Sequence, residues 1–507
     1  MNMSHIFRPV PAGDWFSLLG LFLGIVVFIG LAEALRKKRN WPSEFTRKLV
    51  HIAVGVLMFF SPILLESSLP LILMAGLFTV TNFMAMKKGW LKGMESDRES
   101  YGTTLYPLAF LILLLLTWEN QKVVLIAAML VLAIGDAVAA IVGESIPRPH
   151  AFRLIGETKS LEGSAAMFLS STLVIFLALW LFPFESRFPV DSLWVCLWFA
   201  ALTAVVATAA EALSAKGSDN LTVPLFAALI LYYLLNHSLV ENLQLTLGTV
   251  LGAAMALASY GARFLSASGA VAAFLLAVCI FGFGGWAWTL PILTFFVLSS
   301  VLSKIGKTHK RIYEGLFEKG NRRDYAQVLA NGGVAGVLMV LYMFFPLPEI
   351  YRFYLAALAA ATADTWATEI GILTGQQPRL IRNWQPVAPG TSGGITPAGS
   401  LGAIAGALVL ALSGWYFMAD TSASIAASVG LITGSGFLGS LVDSYLGATV
   451  QIQYRCPVCQ KVTERTHHCN GRPTEPLRGI RWMNNDMVNF LNTLSAVAFV
   501  YLGQRLL

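Results

Sequence analysis

The sequence predicts an all-α polytopic membrane protein of about 14–16 transmembrane helices in two non-homologous domains. Three observations predict it. Of 507 residues, 56% are hydrophobic and only 12% are charged, about half the charged share of an ordinary soluble domain. Apolar runs long enough to cross a bilayer recur along the whole chain. Lys and Arg collect in alternate connecting segments, the pattern of basic loops retained on one side. The first run, Trp15 to Leu31, is followed by Arg36-Lys37-Lys38-Arg39 and reads as a retained span with a cytoplasmic anchor. The excess of 35 Lys+Arg over 28 Asp+Glu, +7 in all, suits loops facing anionic lipid. It is dispersed, with no basic groove interleaved with aromatics, so nucleic acid is not an expected partner.

Taken in order, spans are expected near 15–33, 48–65, 68–86, 103–117, 122–142, 164–182, 190–210, 221–236, 241–262, 268–283, 286–303, 325–345, 350–374, 397–418, 422–447 and 487–505. If residues 36–47 lie inside, alternation puts 87–98, 144–163, 211–220, 304–324, 376–392 and 450–486 on the same side. Nearly all Lys and Arg fall there, as do all the unusual polar motifs. The catalytic loops are therefore expected to be cytoplasmic. The vocabulary of motifs changes near 259–268 (SYGARFLSAS) and the halves show no internal repeat. Two fused domains follow, 1–260 and 261–507, rather than a duplicated transporter.

In the first half, Asp136 lies on one helical face with Ala140 and Gly143, a single carboxylate on a small-residue strip. Intramembrane carboxylates are costly and usually functional; the bland account is a packing seam. Gly156 to Ser164 (GETKSLEGS) stands at a loop-to-helix junction. Ser160 suits a helix cap, Glu162 the first turn, and Lys159 with the free N–H groups a phosphate seat near Gly163. Glu211 closes one span, and Asp219-Asn220 opens the next. Arg47 and Lys48 read as snorkelling anchors, and His51 on an apolar helix is more often packed than catalytic. Cys196 and Cys279 lie in apolar runs and are read as packing residues.

The strings RKLVH (47–51), GDAVAAIVG (135–143), ETKSLEGS (157–164) and EALSAKGSDNLTVPL (211–225) together resemble the phytol and dolichol kinases, CTP-dependent polyprenol kinases, over roughly residues 45–230. The resemblance implies phosphoryl transfer from CTP to a prenyl alcohol. It assigns Asp136 and the Lys159–Gly163 segment to the nucleotide and Mg²⁺ site, chemistry in which metal ions and Lys neutralise charge on the transferring group.

In the second half, Lys304, Lys307 and Lys310 read as positive-inside anchors, whereas Arg322 and Arg323 suit a phosphate clamp leading to Asn331-Gly332-Gly333. Asp364 and Glu369 close an apolar run, five residues and about 140° apart on an ideal helix. They face one ligand only if the helix distorts or the ligand lies across its end. Gly390-Thr391-Ser392-Gly393-Gly394 precedes Thr396-Pro397, a glycine turn feeding a capped helix and a plausible anion cradle. Gly436, Ser440, Asp443 and Gly447 share a face, and Asn484-Asn485-Asp486 opens the last span. Cys456-x-x-Cys459 with His468-Cys469 offers four ligands for a structural Zn²⁺ with a short arm; a reduced thiol cluster is the alternative.

SASGA (266–270), RRDYAQVLANGG (322–333), ADTWATEIG (363–371), GTSGGITPAGS (390–400), GSLVDSYLGATVQ (439–451) and NNDMVN (484–489) resemble the phytyl-phosphate kinases and their uncharacterised membrane relatives. That likeness implies conversion of a prenyl monophosphate to the diphosphate by a nucleoside triphosphate of unspecified base. The combined expectation is a bifunctional membrane lipid kinase acting on prenyl alcohol and then prenyl phosphate. Candidate Mg²⁺ ligands are Asp136, Asp364 and Asp443. A flippase, or a single kinase with a lipid-binding second half, are the competing classes.

Overall fold

The computed structural model describes residues 9–39, 43–88, 100–182, 184, 186–305, 322–418 and 425–505, without the side chains of 43–45 and 47. Every segment read as a span is met by a helix. In order these are α1 Ala12–Arg39, α2 Ser43–Leu64, α3 Leu69–Lys87, α4 Gly102–Thr117, α5 Lys122–Leu130, α6 Ala137–Ser145, α7 Leu161–Leu181, α8 Leu193–Ala212, α9 Asp219–Asn236 and α10 Leu239–Gly261. They continue as α11 Ala267–Ala277, α12 Gly284–Lys304, α13 Tyr325–Phe344, α14 Pro348–Leu373, α15 Pro397–Gly414, α16 Ile425–Thr449 and α17 Asn485–Gln504. Eleven stretches among the described residues are long and apolar enough to cross a membrane, and two shorter apolar helices accompany them. The chain is an all-α, multi-pass integral membrane protein.

The helices invert the logic of a soluble fold. On α7, Leu169, Leu173, Leu177 and Leu181 recur every fourth residue on an exposed stripe, while Met167, Ser171, Ile175 and Ala178 on the other side are buried. In water such leucines would be covered. Here the solvent for the outer face is lipid, and small or polar residues fill the inner contacts.

Two compact units separate, Met1–Leu243 and Gln244–Leu507. The division falls near the start of α10 rather than after it, at the 260/261 composition break. Packing decides this. Gln244 donates to the carbonyl of Gly282 at 3.1 Å, and methyl groups on Gly248 or Gly252 would press on Phe281, Gly282 or Ala277. Helix α10 is thereby tied to the second unit.

In the second unit the stretch 267–304 folds back on itself. A π-helical turn, Val278–Phe283, follows α11, and Gly285 adopts φ 61°, ψ −155° inside α12. A side chain there would be strained and would also meet Gln244. Pro291 inside α12 lacks the N–H that the Ala287 carbonyl would accept from, and in hydrocarbon another donor must replace it. Tyr351 Oη donates to Ala287 O at 2.8 Å, and Tyr354 Oη donates to Trp288 O. The far ends meet: Lys304 Nζ lies 3.6 Å over the Phe264 ring. Two spans read separately from the sequence are thus one hairpin.

Helix α14 is the axis of this unit, packed on α13, α15, α16 and α17. Its segment Ala356–Ala363 is buried throughout, because glycines of its neighbours approach it: Gly436 at Ala359, Gly439 at Ala360, and Gly402 and Gly406 at Trp366. In the first unit the corresponding seam joins α6 and α7. A methyl on Gly163 would lie 2.9 Å from Ala139 O, and one on Gly143 2.8 Å from Ser160 Oγ.

Candidate functional sites

The first cluster is built from five elements of the first unit. A π-helical turn, Val131–Asp136, interrupts the helix between α5 and α6, a distortion common at functional sites that no apolar run announces. It ends on Asp136. The hairpin of β1 (Ala151–Arg153) and β2 (Thr158–Ser160) then delivers Lys159 and Ser160 to the head of α7. Ser160 Oγ accepts from Gly163 N at 3.1 Å, the expected cap. The charged groups acting on Asp136 are Asp219, Glu211, Lys159 and Lys48, so motifs far apart in sequence converge.

Lys159 is not an open phosphate seat. Its Nζ donates to Glu211 Oε1 at 2.5 Å, to Ser214 Oγ at 3.0 Å and to the Glu211 carbonyl. Glu162 turns elsewhere: it accepts from His150 N at 3.0 Å and lies 2.7 Å from His150 Nδ1, so it braces the hairpin rather than joining Asp136. Asn220 donates to Gly217 O and Asp219 Oδ1, shaping the turn into α9. His51 packs edge-on to Tyr106, centroids 4.7 Å apart. Lys48 pairs with Glu144 at 2.5 Å, a role beyond snorkelling. The Arg47 side chain lies outside the described residues.

The second site is a cavity of about 570 Å³ within the second unit. It is lined by Arg323, Asn331, Asp364, Glu369, Gly390–Gly394, Asp443 and Asn485, all of them singled out from sequence. Arg322 and Asp486 are not among its lining residues. Asp364 and Glu369 both reach it because it lies across the end of α14; Glu369 Oε1 accepts from Ser303 Oγ at 2.6 Å. Lys304, read as an anchor, lines the cavity too, while Lys307 and Lys310 lie outside the described residues.

Each wall has a local cause. Arg323 is held in register with the start of α11: its N–H donates to Phe264 O, and its carbonyl accepts from Ser266 N. A methyl on Gly269 would sit 2.2 Å from that carbonyl, which explains SASGA. Desolvation lowers the Arg323 guanidinium to about 10, so it stays charged at neutral pH. Thr396 Oγ1 caps α15 by accepting from Gly399 N at 3.0 Å, with Pro397 at the first helical position. Asp443 Oδ2 is buried with no hydrogen-bond partner and interacts electrostatically with Asp364.

In the glycine loop, Gly390 and Gly393 both have φ of 83°. A methyl on Gly393 would lie 2.5 Å from Ser444 O and 2.6 Å from Ala448 N. Gly393→Ala is expected to destabilise the second unit by roughly 2 kcal/mol or more, from left-handed strain plus the clash. Thermal unfolding in detergent checks this, with Ala substituted at exposed Gly375 (φ 63°, open space around it) giving the strain alone.

Beyond α16, short strands form a ribbon: β3 (Gln453–Arg455), β4 (Val462–Thr463), β5 (His467–His468), β6 (Arg472–Pro473) and β7 (Glu475–Arg478). The ligand atoms of Cys456, Cys459, His468 and Cys469 all lie within 4.8 Å of one another. Backbone N–H groups of Cys459 and Val458 pull the Cys456 thiol down to about 6. A Cys₃His set at this spacing fits tetrahedral zinc. The sequence singled out no role for Glu464, which also lines the cavity beside Gln451, the last residue of the 439–451 string; its only signal was a carboxylate between two ligand pairs.

Helices of spanning length and two polar sites, each contained in its own unit, define a multi-pass membrane protein with two candidate centres. The chain belongs to the DUF92 family of integral membrane proteins: residues 250–497 match that family, and over 286 residues it is 32% identical to Protein PGR of Arabidopsis thaliana, covering 51% of this chain and 97% of that protein. It is also 35% identical over 231 residues to a phytol kinase of Synechocystis, covering 44% of this chain and 93% of that enzyme. The chloroplastic protein VTE6 of Arabidopsis thaliana is 24% identical over 250 residues, 48% of this chain and 66% of that protein. The chain thus carries a domain similar to phytol kinases. No solved structure matches it.

Proposed function

We propose that the protein is a bifunctional membrane lipid kinase: the first unit phosphorylates a prenyl alcohol such as phytol with CTP, and the second converts the monophosphate to the diphosphate with a nucleoside triphosphate. The observation that carries the second activity is the cavity, where one guanidinium, two interacting aspartates and a glycine turn at a capped helix face the same space. Those are the groups phosphoryl transfer needs, since its catalysis is positioning plus charge stabilisation. The likeness to a phytol kinase over nearly that enzyme's whole length supports the first.

In the first unit Asp136 and Asp219 are suited to hold Mg²⁺, because Glu211 is already engaged by Lys159. In the second, the unpartnered Asp443 oxygen with Asp364 is an oxygen donor set suited to a hard cation. Bound Mg²⁺ would neutralise charge on the nucleotide phosphates. The residues themselves do the rest: Arg323 binds a phosphate bidentately, the N–H groups of Ser392 and Gly393 orient it, those of Thr391 and Gly394 being bonded to the Ala388 and Thr391 carbonyls, and the apolar helix faces admit the prenyl tail. The loops are assigned to the cytoplasmic side by their Lys and Arg content.

Incubation of the purified protein with labelled prenol, CTP, ATP and magnesium tests this. Monophosphate and diphosphate are expected in succession. Monophosphate alone would reduce the second unit to a lipid-binding role, and no turnover would favour transport. Cys456, Cys459, His468 and Cys469 are assigned one structural Zn²⁺. Elemental analysis should find about one zinc per chain, lost in Cys459→Ser.

A further inference from the structure

We propose that Glu464 is a positioning residue that fixes the glycine loop Gly390–Gly394, and that the Cys/His cluster serves to hold Glu464 in place. The proposal rests on the reading that the second unit's cavity takes a phosphate group. Glu464 Oε1 accepts from Ser392 Oγ at 2.6 Å and from Gln451 Nε2 at 2.8 Å. Ser392 is the centre of the loop, between Thr391 and Gly393. On the loop's other side stands α16: a methyl on Gly447 would lie 3.1 Å from Gly393 N and 3.4 Å from Ser392 Cβ. The loop is therefore boxed between a helix backbone and a carboxylate.

A carboxylate beside an anion cradle is unfavourable for the anion, so its place there calls for another role. Accepting hydrogen bonds from Ser392 and Gln451 at one oxygen makes Glu464 a clamp that joins the loop to the end of α16. Such a clamp matters because a loop already fixed binds a phosphate without first having to be ordered, and that ordering would otherwise cost affinity. The ribbon supplies the rigidity. Glu464 follows Cys459 and precedes His468, so closing the four-ligand cluster closes a loop around it. Its neighbours are tied as well: Arg465 N donates to Thr463 Oγ1 at 3.2 Å, and Thr474 Oγ1 donates to Arg465 O at 2.7 Å. At its root, Gly479 packs on the Gln451 carbonyl with φ 94°, where a methyl would lie 2.2 Å away, and Arg478 Nε donates to Gln453 Oε1 at 2.9 Å.

The test uses the full chain in detergent, with two readouts: kinetics of each phosphorylation step, and hydrogen exchange across residues 388–396. Glu464→Ala is expected to raise KM of the second step about tenfold, the size of one lost charge-assisted hydrogen bond. It should lower kcat much less and quicken exchange in the loop. Glu464→Gln, which keeps an acceptor, should recover most of both. Cys459→Ser, or chelation of zinc, should reproduce Glu464→Ala, and phosphorylation of the alcohol should not change. Unaltered exchange and KM in a folded Glu464→Ala protein would overturn the clamp. Unaltered loop behaviour in zinc-free protein would overturn the link to the cluster. Should the wild type fail to turn over the monophosphate, the functional reading falls, while the exchange data still decide the clamp. Ser392→Ala provides the same loss from the loop side if Glu464→Ala does not fold.

Discussion

Asp364→Asn is expected to cut conversion of prenyl monophosphate to diphosphate by about 10³-fold, the loss of roughly 4 kcal/mol of transition-state stabilisation, and to leave phosphorylation of the alcohol intact. Asp136→Asn should do the reverse. The asymmetry follows from composition of the sites. Every charged group found to act on Asp136 belongs to residues 48–219, and every lining residue of the cavity falls between Ala262 and Asn489. Asn keeps the volume of Asp and removes the charge that suits it to hold a cation, so the fold should survive while the metal-dependent step fails. Separate assays, starting from the alcohol and from the monophosphate, read the two effects. If either change abolished both steps in folded protein, the two-site reading would be wrong.

Lys159→Met is expected to lower the stability of the first unit by about 3 kcal/mol, because it leaves a largely buried carboxylate without its cation. The Lys159 and Glu211 side chains are only 13% and 10% exposed and lie 2.5 Å apart. Lys159 also ties the β1–β2 hairpin to the loop after α8 through Ser214. Lys159→Met combined with Glu211→Gln should recover most of the loss, since neither charge is then stranded. Thermal unfolding of both variants in the same detergent is the check. A single variant as stable as wild type would mean that Lys159 is free for a nucleotide phosphate, as its sequence context alone suggests.

Much of the second site was legible before any fold was known. Asp364, Asp443, Arg323 and the Gly390–Gly394 turn stand out because acidic groups, clustered arginines and glycine turns are conspicuous in apolar sequence, and the cavity gathers all of them. Side-chain partners were not legible. Glu162 looks like a site carboxylate in its motif, yet it is spent on His150. Glu464 sits in a polar ribbon, marked only by its place between two ligand pairs, yet it holds Ser392. Lys304 resembles its neighbours in a basic loop, yet the hairpin returns it to the Phe264 ring and the cavity.

Sequence by itself determined that this is a helical membrane protein, where its helices lie, and which residue types bear chemistry, because bilayer solvation and helix capping act over a few neighbouring residues. Only tertiary structure decided which of those residues meet. The π turn before Asp136, the Gly285 reversal, the Lys159–Glu211 pair and the division at Leu243 all depend on contacts between helices distant in the chain. Within a lipid-facing bundle those contacts are set by glycine and alanine spacing and by single buried hydrogen bonds, which hydrophobic patterning does not record.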